Sequence, residues 1–176
     1  MKRSRQKIAQ PTPPPANPRC TSSTAAVAFW RAQFRFRRRL LLCAERLFVL
    51  TLDRERRFTG AHPVLAVLSG DAGQFAEFLF AEDFLRGVPE SLLIISRPKV
   101  APQASSLDKA RVRALILAGR ASKCELLDAL IVGKPDAEHS SGVLPFRRLP
   151  GFSAANPFSE PAPKARNINT GKAATK

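Results

Sequence analysis

The chain has 176 residues, which is enough for one domain to bury a hydrophobic core without disulfides or a metal. Its net charge is +15. Its three cysteines, Cys20, Cys43 and Cys124, are widely spaced and odd in number, which argues against both a disulfide framework and a structural zinc site. We therefore expect a cytoplasmic protein in a reducing compartment. No apolar run approaches the roughly 20 residues that a membrane span requires, so no membrane partner is expected.

The charge is concentrated at the two ends of the chain. Residues 1–40 contain ten Lys/Arg and no Asp/Glu, residues 41–145 contain thirteen of each, and residues 146–176 contain six bases and one acid. This distribution predicts a neutral body with two basic arms. Such arms could bind DNA through its phosphates without reading sequence. The alternative is that they only keep disordered ends in solution.

The N-terminal part of the chain predicts an arm followed by a helix. QPTPPPANPRCTSST has five prolines in fifteen residues, which predicts a disordered or polyproline-like arm over residues 1–22. SSTAAVAFWRAQFRFRRRLLLCAE then places Val27, Trp30 and Phe34 at helical spacing. The same segment contains an arginine cluster, for which nucleic-acid binding and a solvated helix face are alternatives. The cluster consists of Arg35, Arg37, Arg38 and Arg39.

Strands and helices alternate through the body, which predicts an α/β domain over residues 23–148. RLFVLTLD predicts a strand that ends in the charged turn DRERRFTG, with a returning strand near HPVLAVLSG. DAGQFAEFLFAEDFLRG predicts a helix that Gly87 ends. SLLIIS is a continuous apolar run of strand length, as expected for a strand buried on both faces.

A loop rich in proline and serine, ISRPKVAPQASSLD, leads from this strand into the next helix. Ser105 is the predicted N-cap of that helix, with Asp108 three residues later in a capping-box arrangement. ELLDALIVGKP then predicts another buried strand. Residues 149–176 show no apolar period and predict a disordered basic tail.

The segment LLIISRPKVAPQASSLDKARVRALILAGRASKCELLDALIVG resembles the RadC-like branch of the JAB/MPN metallopeptidase superfamily. That family's loop reads H-x-H-P, six residues, then S-x-x-D, and Pro98, Ser105 and Asp108 stand in this register without an insertion or deletion. AERLFVLTLD resembles the family's opening strand, so the resemblance covers about residues 40–143. It implies a JAB/MPN-like mixed sheet flanked by helices, between disordered N- and C-terminal arms. In active family members it also implies a zinc hydrolase site with two His and one Asp as ligands.

The chain departs from the family at the metal ligands. The two histidines of H-x-H correspond to Ile95 and Arg97, and a further family histidine corresponds to Ala129. Zinc catalysis needs three protein ligands and an open position for water, and only Asp108 remains. The guanidinium of Arg97 also places a fixed positive charge where a divalent cation would bind. We therefore expect no zinc or other cofactor, and no catalysis, at this position.

The resemblance implies that Glu45, Ser105 and Asp108 are remnants of the family's catalytic site. The resemblance implies Glu45 as a candidate general base and Ser105 as a group that assists an oxyanion. From the residues alone, Glu45 is a surface carboxylate, Ser105 caps a helix and Asp108 complements the helix dipole. We predict that Arg97 pairs with Asp108 and holds the loop.

Three functions are consistent with the sequence. The first is a catalytically inactive RadC-like domain that acts by binding DNA or protein, in the DNA-repair or mobile-element context that the resemblance suggests. The second is a zinc-dependent JAB-type hydrolase with an atypical ligand set, for which His62 or His139 would have to approach the site. The pattern around both histidines instead predicts surface loops. The third is a basic nucleic-acid-associated protein whose α/β body positions its arms.

Overall fold

A computed structural model describes residues 17–34, 45–64, 71–81 and 85–152. Within them, a five-stranded mixed sheet is flanked by three helices, which confirms the predicted α/β class. The helices are α1 (Ser23–Phe34), α2 (Ala72–Ala81) and α3 (Ser106–Ser122). The strands are β1 (Arg46–Leu52), β2 (Phe58–Val64), β3 (Glu90–Arg97), β4 (Glu125–Gly133) and β5 (Val143–Pro145), and a 3-10 turn follows at Phe146–Arg148.

The strands lie in the order β2-β1-β3-β4-β5, and only β3 and β4 run parallel. Helix α3 connects these two strands, as parallel pairing requires a crossover. Arg97 at the end of β3 is opposite Gly133 at the end of β4. Because β1 is antiparallel to β3, Arg46 at its start is opposite Ser96. The start of β1 and the ends of β3 and β4 therefore meet at one edge of the sheet.

Both faces of the sheet are covered by apolar packing. Successive side chains of a strand point to opposite faces, so Leu93 and Ile95 pack with α2 and α3, whereas Leu92 and Ile94 pack with α1. This two-sided burial explains why β3 reads as an unbroken apolar run, as the sequence predicted.

The packed chain begins earlier than the predicted domain boundary at residue 23. The amide of Cys20 donates to the Arg56 carbonyl at 2.7 Å, and the amide of Phe58 donates to the Pro18 carbonyl at 3.1 Å. Arg19 and Arg57 form an antiparallel bridge between these two bonds, and the Cys20 side chain is buried. Residues 18–20 therefore pair with residues 56–58 at the start of β2, in a segment whose prolines had predicted an arm.

Two further boundaries differ from the prediction. β2 begins at Phe58, inside the segment predicted as a turn, and the rest of the predicted returning strand lies outside the described residues. At the other end, β5 was not predicted, and Leu149 and Phe152 pack against the core that α2 and α3 cover. Residues 149–152 therefore belong to the packed domain and not to the predicted tail.

The candidate arginine cluster, Arg35, Arg37, Arg38 and Arg39, lies outside the described residues. So do residues 1–16 and 153–176, which make up most of the two predicted arms. Among the helices that the structure describes, none has the length and apolar character needed to cross a membrane.

Candidate functional site

Three charged residues predicted as site residues meet at the edge of the sheet where β3 ends. Arg97 is the last residue of β3, and Glu45 immediately precedes β1. The antiparallel register places Glu45 beside Arg97. Asp108 lies in the first turn of α3, which begins after the loop that leaves β3. Arg97 and Asp108, which follow Glu45 by 52 and 63 positions in the chain, are thus brought next to it.

The guanidinium of Arg97 bonds to all three neighbouring acceptor groups, and we call this set the Arg97 cluster. Nη2 donates to Oε1 of Glu45 at 2.8 Å and to Oδ1 of Asp108 at 3.0 Å. Nη1 lies 2.9 Å from Oδ2 of Asp108 and donates to the Gln103 carbonyl at 2.7 Å. Arg97 and Asp108 therefore form a bidentate salt bridge, the strongest geometry for this pair. The predicted pairing of Arg97 with Asp108 is confirmed.

The environment of Arg97 favours its charged form. The hydrogen bond with Glu45 raises the pKa of the guanidinium, burial acts in the opposite direction, and the hydrogen bond and charge of Asp108 raise the pKa further. Arginine is already protonated throughout the physiological range. The site therefore contains a permanent monocation between two carboxylates.

Asp108 and Ser105 form the predicted capping box. The side chain of Asp108 is 1% exposed, and its Oδ2 accepts from the backbone N of Ser105 at 2.8 Å and from the Ser105 hydroxyl at 2.7 Å. The Ser105 hydroxyl oxygen accepts in turn from the Asp108 amide at 3.1 Å. Because the hydroxyl proton is directed at Asp108, it is not presented to an oxyanion. The capping interpretation of Ser105 is confirmed.

The positions at which the resemblance would place histidines are apolar or cationic. Ile95 is fully buried between Leu47 of β1 and Ile131 of β4, and Ala129 is fully buried opposite Leu93. Within the described residues, no group of three or more His, Cys, Asp or Glu side chains is arranged to hold a metal ion. Zinc needs nitrogen, sulfur or carboxylate ligands on at least three sides. The donor set at this site therefore does not fit zinc.

Neither histidine completes the site. The imidazole of His62 lies over Gly60 near Thr51, at the opposite end of β1 from Glu45. This histidine belongs to β2, so its prediction as a loop residue was wrong. Nδ1 of His139 lies 3.3 Å from Oδ1 of Asp136 within the loop between β4 and β5, in agreement with the surface-loop prediction.

A shallow depression of about 490 Å³ opens beside the Arg97 cluster. The Glu45 side chain is its exposed carboxylate, 40% accessible, and Val100 is 55% exposed. Among the lining residues, Ser105 has the only hydroxyl group, and that group is bonded to Asp108. The depression therefore offers a binding surface and no free nucleophile. Its lining consists of Glu45, Arg97, Val100, Ala101, Gln103, Ala104 and Ser105.

The loop over this depression is held against the sheet. The amide of Lys134 donates to the Val100 carbonyl at 2.7 Å. A Cβ at position 133 would lie 2.9 Å from the backbone nitrogen of Pro102 and would also collide with the Val100 carbonyl. Gly133 thus permits the loop backbone to pack directly on the end of β4. The Gln103 carbonyl reaches Arg97 because the loop is fixed on both sides.

A second buried charge, which the sequence did not reveal, lies on the α1 side of the sheet. Oδ1 of Asp128 accepts from the amides of Ala129 at 2.8 Å and Arg147 at 3.3 Å. Arg147 Nη2 donates in turn to the Ser23 hydroxyl at 3.3 Å. Burial raises the pKa of Asp128 to about 6, although these amides and Arg147 partly oppose the shift. An acid inside the apolar run LLDALIVG was the signal that could have pointed to it.

No protein-family model matches this sequence, and a comparison with curated proteins finds no relative.

Proposed function

We propose that this protein is a RadC-like JAB/MPN domain in which an arginine has replaced the zinc ion, and that it acts by binding a partner. The observation that supports the proposal is the Arg97 cluster. Its guanidinium satisfies Asp108, the one ligand position that the resemblance retains, and also Glu45, the candidate general base. A guanidinium cannot serve as the Lewis acid that activates water in a zinc hydrolase.

A hydrolase with an atypical ligand set is the less favoured function. An arginine donates only and cannot bind a cation. Ile95 adds an aliphatic side chain where the family has an imidazole. Glu45 and Asp108 are both bonded to Arg97, and a third ligand would require a histidine to leave its position on β2 or beside Asp136.

Metal analysis of the purified full chain tests this proposal. We expect less than about one tenth of an equivalent of zinc after dialysis against buffer containing the metal. A stoichiometric, tightly held transition metal would overturn the proposal, because the donor set described above could not account for it.

Rebuilding the family ligand set tests the resemblance separately. The double substitution Ile95→His and Arg97→His would restore two imidazoles on one face of β3 beside Asp108. If the register is correct, the variant should bind zinc with a midpoint near micromolar or tighter and rise in melting temperature when zinc is added. The matched control is Ile94→His with Arg97→His, in which one imidazole points to the opposite face. Equal zinc binding by both variants would argue against the resemblance.

The partner of such a binding domain follows from the charge. The chain carries +15 while residues 41–145 are neutral, which favours the third candidate function, a nucleic-acid-associated protein. The affinity for a random-sequence duplex should fall by several decades between 50 and 200 mM salt if about six or more Lys and Arg side chains contact phosphates. An affinity that is insensitive to salt would exclude this function and leave a protein partner as the better candidate.

A further inference from the structure

Helix α3 carries a line of basic side chains in which Arg113 and Arg120 are exposed and Lys109 is half-buried. Lys109, Arg113 and Arg120 are four and seven residues apart, spacings that place them on one side of a helix. At 1.5 Å rise per residue, Arg113 lies about 6 Å along the axis from Lys109 and Arg120 lies about 10 Å farther on. We call these three residues the α3 row.

The α3 row has no compensating charge nearby on its own helix. The only acid between residues 106 and 122 is Asp108, which is buried and bonded to Arg97. Among the described residues, the side chains of the row form no ion pair and no hydrogen bond. The row is therefore a concentrated positive strip on a body whose total charge is near zero.

The middle member of the row is held in place. The guanidinium of Arg113 lies 5.1 Å from the centre of the Phe152 ring, in a cation–π contact. Phe152 in turn packs edge-on against the buried Phe146 at 5.2 Å. Because these rings restrict the Arg113 side chain, less conformational entropy is lost when it contacts an anion.

We propose that the α3 row binds the phosphate backbone of duplex DNA. Spacings of about 6 and 10 Å are close to the widths of the minor and major grooves, about 6 and 12 Å, so the three cations can contact phosphates on the successive backbones that border the two grooves. A single strand would require exposed aromatic rings for base stacking, and this helix has none. An interfacial helix would require a broad apolar face, whereas α3 exposes only Leu107 and Leu117 as large apolar residues.

This inference does not depend on the loss of the zinc site, because it uses a different surface. It also differs from DNA binding by the basic arms. The test must therefore separate the row from the arms and from net charge, and it is made on the full chain.

The experiment compares two triple variants with equal charge change. The first is Lys109→Gln, Arg113→Gln and Arg120→Gln. The control removes three exposed bases elsewhere on the body, Arg54→Gln, Lys99→Gln and Lys134→Gln. Fluorescence anisotropy with a random-sequence duplex of about 20 base pairs is measured from 50 to 200 mM salt.

We expect the row variant to bind at least tenfold more weakly at 50 mM salt. Its slope of log affinity against log salt should be smaller by about 2 to 3, because each lost phosphate contact removes about 0.9. The control should change the slope by less than about 1. Equal losses in the two variants would overturn the proposal, since net charge alone would explain them. Tighter row-dependent binding to duplex RNA than to duplex DNA would overturn the choice of DNA.

A double variant guards against effects on folding. Lys109→Glu with Arg120→Glu leaves Arg113 on the Phe152 ring, and its control is Lys99→Glu with Lys134→Glu. Melting temperatures within about 3 °C of the parent would show that both pairs are folded. If the folded α3 pair then binds DNA as well as its control does, the proposal fails.

Discussion

The guanidinium of Arg97 makes contacts that no neutral side chain could make together. It forks onto the buried carboxylate of Asp108, reaches Glu45 and holds the Gln103 carbonyl. A buried ion without its partner costs several kcal/mol, so the stability of this edge of the sheet depends on the pair. The two partners of Arg97 differ in importance because Asp108 is 1% exposed and Glu45 is 40% exposed.

Replacing Arg97 by Ala should therefore lower the free energy of unfolding by about 3 kcal/mol, because Asp108 is left charged and buried. Chemical denaturation of the full chain measures the change. Lys99→Ala, an exposed base in the same loop, is the control and should change stability by less than about 0.5 kcal/mol.

The double variant Arg97→Ala and Asp108→Asn checks the cause. It should be less destabilised than the sum of the two single substitutions by about 1 to 3 kcal/mol, since the neutral amide no longer needs a counter-charge. Additive effects would contradict the proposed dependence of Asp108 on Arg97.

The buried acid of β4 should make stability depend on pH. Burial raises the pKa of Asp128 from 3.8 to about 6, so between these values the folded protein binds a proton that the unfolded chain releases. The stability from this group is therefore complete below about pH 4 and is lost as the pH rises to about 6, by an amount on the order of 3 kcal/mol. Unfolding free energies at intervals between pH 4 and 7 measure it.

The substitution Asp128→Asn should remove this part of the pH dependence, because the amide oxygen can still accept from the Ala129 and Arg147 amides without titrating. The exposed Glu77→Gln serves as the matched control and should keep the slope. An unchanged slope in the Asp128 variant would show that other groups cause it.

At the scale of single elements, the start of α3 is fixed by its cap. The hydroxyl of Ser105 and the carboxylate of Asp108 satisfy each other's backbone amides, and Asp108 at the same time anchors Arg97. The capping box therefore connects the first turn of α3 to Arg97 at the end of β3. An ordinary cap serves its helix alone.

Ser105→Ala should cost about 1 to 2 kcal/mol of unfolding free energy, because both the cap and a hydrogen bond to Asp108 are lost. Thermal and urea unfolding measure this cost. Ser106→Ala, one residue later and exposed, should be nearly neutral. Equal effects at the two positions would show that the capping box contributes nothing.

Elements with strong local patterns could be predicted, and those that depend on distant contacts could not. β3 was predicted from its continuous apolar run and α3 from its capping box, and both signals lie in neighbouring residues of the chain. The strand-like pairing of residues 18–20 was missed because it depends on β2, 36 or more residues away. β5 was missed because only three residues pair.

The candidate site shows the same division. The contact between Arg97 and Asp108 followed from the register of the loop and is confirmed. The third member, Glu45, was named as a site residue, but its bond to Arg97 could not be foreseen because it requires knowing that β1 lies antiparallel beside β3. Which residue contacts an arginine is decided by strand order, and strand order is not a local property.

At the scale of the whole molecule, two apolar cores share one sheet. The single tryptophan of the chain, Trp30, is buried on the α1 side and packs edge-on against Phe48. Helices α2 and α3 cover the opposite side. Because every central strand contributes side chains to both cores, the two sides should unfold together.

Tryptophan fluorescence and far-ultraviolet circular dichroism should therefore give the same urea midpoint within about 0.2 M. Fluorescence reports only the α1 side, whereas circular dichroism reports all helices and strands. An earlier fluorescence transition would mean that α1 detaches from a sheet that remains folded.

The short segment beside β2 determines where the amino end can be trimmed for crystallisation or labelling. A truncation that removes residues 1–16 leaves the Pro18 carbonyl, the buried Cys20 thiol and the Ser22 hydroxyl that receives the Ala25 amide. Removing residues 1–22, as the proline content alone would suggest, deprives the Phe58 amide of its acceptor and the Ala25 amide of the Ser22 hydroxyl. A truncated form of this protein should therefore begin at Asn17 or earlier.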